Sequence, residues 1–202
     1  KLSVHMWNSN RGWFHDTRKV LSEITSDYVL FWIEDHLNLA DGNVYDAILK
    51  DMQGNDIDVL AYSWFESYAR RRFGAIEKKQ TENIEFFRWD DAANAVIQQG
   101  EGSYIIGVCS IFKASFFKLI IESNHPLLRR WDPRTPFDFE KNRYDVCWLP
   151  FNQAVPRFEL FGVIDDDNSG PSLQSRGLDP SRVLRNVMIE ASYAKASRAK
   201  RI

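Results

Sequence analysis

Cysteine is nearly absent from this 202-residue chain: only Cys109 and Cys147 occur, far apart and without the paired spacing of a zinc site. A disulfide-stapled scaffold is therefore excluded, and two reduced, buried thiols in a cytoplasmic protein are expected instead. No apolar run approaches the roughly 18–20 residues of a membrane span, and no secretory-leader pattern opens the chain. No G-x-x-x-x-G-K-[ST] stretch occurs, which removes the P-loop enzymes. An excess of either charge is also lacking. Against 26 Lys and Arg stand 28 Asp and Glu, a net charge of −2, so no basic field exists to bind nucleic acid. Repeats, low-complexity stretches and visible linkers are missing as well, so residues 1–202 are expected to form a single domain. The chain opens on "KLSVHMW", which reads like the middle of a protein, and N-terminal sequence is expected to precede it.

What the chain does have is apolar and aromatic material. Hydrophobic residues make up 44% and aromatic residues 14%, with seven Trp, enough for a sizeable core. Such aromatics either fill that core or stack on sugar rings. The pattern alternates strands with helices. Residues 2–7 alternate apolar and polar like a short strand, and "NSNRG" (8–12) is turn-rich. Trp13, Thr17, Val20, Leu21 and Ile24 recur at helical spacing, with Asp16 near the start as a cap. "YVLFWI" (28–33) is a continuous apolar strand. A helix from about Asn43 to Met52, capped by Asn43, presents Val44, Ile48, Leu49 and Met52. "GND" then turns the chain. Further strands are read at 57–65, 84–89, 104–112, 145–150 and 158–164, and helices at 90–99 and through "KASFFKLIIES". Arg70 to Arg72 and Glu77 to Lys79 suggest a solvated excursion. Asp179-Pro180 starts a last amphipathic helix with a basic tail, 179–202. The alternation predicts an α/β sheet with helices on its faces.

The strand at 28–33 runs into Glu34, Asp35 and His36. In open α/β sheets ligands gather at the carboxyl ends of strands. Glu34 and His36 are two apart, so in extended chain they share a face, and a carboxylate with an imidazole suits Mn²⁺ or a similar metal. Taken alone, the three are equally readable as a solvated strand end.

The order of parts, strand, "NSNRG", helix, "SDYVLFWIEDH", resembles the central portion of GT-A glycosyltransferases of the inverting, family-two-like type, over roughly residues 2–120. "DVLAY" is similar to the next strand of that family, and "GVCSIFKASFFKLII" to a later strand and helix. The resemblance implies a Rossmann-like GT-A fold with a mixed, mainly parallel sheet flanked by helices. It also implies transfer of a sugar from a nucleotide-sugar donor to a saccharide, lipid-linked or protein acceptor, as in polysaccharide biosynthesis. Glu34, Asp35 and His36 fall where that family carries its DXD motif, which holds Mn²⁺ or Mg²⁺ and the donor diphosphate. His36 replaces the usual aspartate. Asn10, Arg11 and Gly12 fall in the loop expected near the donor, where Arg11 is either a phosphate contact or a surface charge. The part of the family's fold that grips the nucleotide base is absent from this sequence.

A divalent cation would neutralise charge building on the leaving diphosphate. An inverting transfer also needs a base for the acceptor hydroxyl. Asp138 and Glu140 in "PFDFEKN" fit, because Phe137 and Phe139 would desolvate them and raise their pKa; as ordinary loop charges they would do neither. His125 is a weaker base, and His5 and His15 read as structural. "DDDNSG" (165–170) mimics part of a cation loop but lacks the distal glutamate of an EF-hand. Lys195, Arg198, Lys200 and Arg201 in the tail either dock on an anionic membrane or end a solvated helix. Two other readings remain: a non-catalytic carbohydrate-binding or assembly module of GT-A type, and a nucleotidyltransferase-type α/β enzyme.

Overall fold

The computed structural model describes residues 13–32, 36–61, 76–98, 109–122, 148–158 and 160–163. Outside these lie the expected strand at 2–7, the loop 8–12 and residues 33–35. The arginine run 70–72, Cys147, the acidic segment 137–140, the loop 165–172 and the helix 179–202 lie outside them too.

In chain order the elements are α1 (Trp13–Ser22), β1 (Tyr28–Phe31), β2 (His36–Asn38), α2 (Gly42–Gly54), β3 (Val59–Leu60) and β4 (Lys79–Gln80). They continue with β5 (Ile84–Trp89), α3 (Asp91–Gln98), β6 (Ser110–Lys113), α4 (Ala114–Glu122), β7 (Phe151–Pro156) and β8 (Phe161–Val163). Six strands form one sheet in the order β1-β6-β3-β7-β5-β4, and β2 pairs with β8 in a separate ribbon. The α/β class with a mixed sheet flanked by helices is as expected.

The expectation of a mainly parallel sheet is not met. Among the described strands only β3 and β7 pair in parallel; β1–β6, β3–β6, β5–β7 and β4–β5 are antiparallel. The reason is local in one case. β4 and β5 are joined by a tight turn, closed by the Thr81 N–H to Ile84 carbonyl bond at 2.9 Å, and a hairpin forces antiparallel neighbours. In the other case β6 inserts between β1 and β3 against both, and an apolar run carries no mark of its direction.

The register lines up two rows of side chains across five strands. Val29, Phe112, Val59, Gln153 and Phe87 cross one face; Leu30, Ile111, Leu60, Ala154 and Phe86 cross the other. The first face carries a core that includes Leu21 of α1, Ala93 of α3 and Phe116, Phe117, Ile120 and Ile121 of α4. Helix α1 is tied to α4 where the Arg18 guanidinium donates to the Ile121 carbonyl at 3.1 Å. The second face carries Ile48 and Met52 of α2 with Ile57, Leu60, Ile84, Ile111 and Phe161. Ile48 and Met52 are fully buried, each contributing roughly 2 kcal/mol of transfer free energy.

Local chemistry explains the boundaries. Helix α2 begins at Asp41, not at the expected Asn43 cap, with the Val44 N–H on the Asp41 carbonyl at 3.0 Å. It stops at the expected "GND": Asn55 donates to the Asp51 carbonyl, and Asp56 takes a φ of 52°, a left-handed conformation that aspartate tolerates. Helix α3 is capped by Asp90, whose Oδ1 accepts the Ala93 N–H at 3.0 Å. In α1, Asp16 is a first-turn residue bonded to His15 and not a cap. Of the strand expected at 145–150 only residues 148–150 are described, and these precede the strand, since β7 starts after Pro150.

Candidate functional site

Strands β1, β3 and β7 run in one direction, because β1 and β3 both oppose β6 and β7 is parallel to β3. Their carboxyl ends, at Phe31, Leu60 and Pro156, therefore share one edge of the sheet. This is the edge at which open α/β sheets hold their ligands. The chain leaving β1 becomes β2, and the chain leaving β7 becomes β8. The two strands of origin stand first and fourth in the sheet, roughly 14 Å apart at ordinary strand spacing. They are joined beyond that edge by the β2–β8 ribbon, in the register His36↔Val163, Leu37↔Gly162 and Asn38↔Phe161. The Leu39 N–H extends the ladder to the Leu160 carbonyl at 2.7 Å.

An aromatic column fixes the ribbon to the second core. Phe161 is 1% exposed and lies 6.2 Å from the Tyr45 ring and 5.8 Å from the Trp32 ring, centroid to centroid. Burial, with the Cys109 thiol adding to it, pushes the Tyr45 hydroxyl up to about 12, so it stays protonated and donates to Asn38 Oδ1 at 2.7 Å. Asn38 in turn accepts the Ala40 N–H at 3.2 Å, a turn that launches α2. The Trp32 indole N–H donates to the His36 carbonyl at 3.0 Å, which pins the two ends of the 33–35 connection together.

Of the residues singled out for metal and donor binding, the described part contains His36 alone. Asn10, Arg11, Gly12, Glu34 and Asp35 lie outside it, as do both base candidates, Asp138 and Glu140. The sequence places His36 at an open strand end. In the structure it opens β2 and is buried, 3% exposed. Among the described residues no group of three or more His, Cys, Asp or Glu side chains is arranged to hold a metal ion.

Two features leave no signal in the sequence. Gln153 is fully buried in the middle of the first row of side chains, and neither end of its amide has a hydrogen-bond partner among the described residues. Trp32 is 51% exposed at the ligand edge, although it belongs to an apolar run that reads as core.

The opposite edge of the sheet carries a polar cluster of a different kind. There the half-buried Asp58 accepts the Asn152 N–H at 2.8 Å through Oδ2, while Lys113 pairs with Asp56. Burial raises the Asp58 carboxyl, against the lowering effects of the Asn152 N–H and Lys113. Asp58 also exchanges backbone bonds with Asn152 and Lys113, so the cluster ties β3, β6 and β7 where they begin or end. It is a sheet fastening, on the edge away from the ribbon.

Among the described residues no helix is long and apolar enough to cross a membrane. No family model, curated protein or solved structure matches the chain.

Proposed function

We propose that the chain is a metal-assisted glycosyltransferase of GT-A type, moving a sugar from a nucleotide-sugar donor to a saccharide, lipid-linked or protein acceptor. The observation that carries this reading is the position of β1, whose carboxyl end shares one edge of the sheet with those of β3 and β7. "SDYVLF" brings β1 to that edge, and in the sequence Glu34 and Asp35 follow it, between Trp32 and His36. Glu34 and Asp35, with His36, would hold Mn²⁺ or Mg²⁺ there. The cation would supply neutralisation of the charge that develops on the departing diphosphate. Arg11 would add positive charge, and Asp138 or Glu140 would take the acceptor proton.

The test is calorimetric titration of UDP and GDP with and without Mn²⁺. Binding is expected for one of them, weakened at least about tenfold when Mn²⁺ is withdrawn or Asp35→Ala is introduced. No binding of either nucleotide in the presence of Mn²⁺, or unchanged binding in Asp35→Ala, would falsify the proposal.

The burial of His36 favours a second reading, a GT-A-like module that binds carbohydrate without turning over a donor. It is distinguished by saccharide binding that needs neither metal nor nucleotide.

A further inference from the structure

The side chain at the ligand edge that invites explanation is Trp32. An indole buries a large apolar area when it can, and a tryptophan half open to water has given that up. Single exposed apolar residues are commonplace on protein surfaces. Trp32 differs in being held outward. Its N–H is committed to the His36 carbonyl at 3.0 Å, and its ring leans on Phe161, itself buried and backed by Tyr45. The ring therefore has one orientation before any ligand arrives, so little rotamer entropy remains to be lost on binding.

What such a ring offers is set by what is already used. The only hydrogen-bonding group of the indole is taken, so recognition falls to the π face. A π face with negative quadrupole attracts the polarised C–H bonds on the apolar side of a pyranose ring. Binding sites of this sort pair a flat apolar wall with a few polar groups.

We infer that Trp32 is a preformed stacking platform for a pyranose ring, placed just beyond the carboxyl end of β1. This deepens the proposed glycosyltransferase reading by assigning the acceptor saccharide to a named side chain. It also holds if the chain binds sugar without transferring it.

The experiment uses the whole chain and a panel of methyl hexopyranosides (glucoside, galactoside, mannoside and N-acetylglucosaminide), each added up to on the order of 10 mM, a range suited to weak single-sugar affinity. The readout is the Trp32 indole N–H resonance, assigned by its loss in Trp32→Phe. At least one glycoside is expected to shift that resonance in a saturable way in the wild-type protein. In the variants, which lack that resonance, binding is followed by the backbone amide resonances that the same glycoside shifts in the wild-type protein; Trp32→Ala is expected to weaken it about tenfold and Trp32→Phe by less, since phenylalanine keeps a ring. The inference is overturned if no glycoside moves the resonance, or if Trp32→Ala binds as tightly as wild type. A shift produced by uridine but by no glycoside would make the ring a nucleobase platform and would equally overturn it. The Mn²⁺-dependent UDP titration is read separately: glycoside binding without it leaves the platform standing and removes the transferase.

Discussion

At the scale of single residues, Gln153 stands out. An amide that loses its water without gaining a partner costs about 1–3 kcal/mol. It sits between Val59 and Phe87 in a row whose other described members are apolar. Replacing it by methionine, which has a similar length and no strongly polar atoms, is expected to stabilise the fold by about 1 kcal/mol in urea-induced unfolding. A destabilised Gln153→Met protein would mean that the amide has a partner in solution. None of this is legible in the sequence, because a lone Gln in "FNQAVP" resembles an exposed loop residue. Trp32 misleads in the opposite sense: its place in "YVLFWI" says core, and only the bond to His36 and the contact with Phe161 turn it outward.

Elements are easier to read than residues. The strand 84–89 is found with its expected bounds, since "IEFFRW" is apolar and aromatic and lies between a turn and a cap. The face of α2 is also as expected, with Ile48 and Met52 buried and Val44 and Leu49 packed against them. β7 escapes a sequence reading because Pro150 and Pro156 bracket it and Asn152 and Gln153 interrupt its apolar pattern; proline is tolerated at its ends, where the ladder starts and stops. The strand at 28–33 is shorter than its apolar run, ending at Phe31. Capping gives the element-scale prediction. Asp90→Ala removes the acceptor of the Ala93 N–H at the turn that starts α3, next to the residue by which the helix joins the core. A loss of about 1 kcal/mol is expected in the unfolding free energy, with Asp90→Ser close to wild type.

At the scale of the whole molecule, alternation in the sequence reveals the layers but not the strand order. Apolar runs identify buried strands; which one inserts between which, and in what direction, depends on contacts between segments far apart in the chain. The strand β1 is legible in its apolar run, while the ribbon that His36 opens is not, because pairing His36 with Val163 leaves no local trace. The sheet's fastenings also set how the molecule responds to pH. Burial raises the Asp58 carboxyl, so the folded state binds its proton more tightly than the unfolded chain does. Its contribution to stability therefore falls as pH rises from the unfolded value towards the folded one. At Asp51 burial also acts upward, but the bonds from Thr81 at 2.6 Å and Asn83 at 2.8 Å outweigh it and hold the carboxyl below its usual value. That contribution is present above the unfolded pKa and is lost as pH falls through the folded one. Asp58→Asn keeps an acceptor for the Asn152 N–H and removes the buried charge. Its melting temperature relative to wild type is expected to be higher at pH 7 than near pH 3, where both side chains are neutral. An equal difference at the two pH values would show that burial of the charge carries no cost.

The β2–β8 ribbon has a consequence for how the chain assembles. Its partners are roughly 125 residues apart, and closing such a loop in a free chain costs on the order of 4 kcal/mol, more than three residue pairs return. The ribbon therefore cannot nucleate folding. It becomes favourable only after β1 and β7 are seated in a correctly ordered sheet and their exits are held near each other. A molecule with β6 or β3 misplaced would leave those exits at the wrong spacing and would not complete the edge at which Trp32 is fixed. The ribbon thus acts as an assembly checkpoint, finishing that edge only on chains whose sheet is already right.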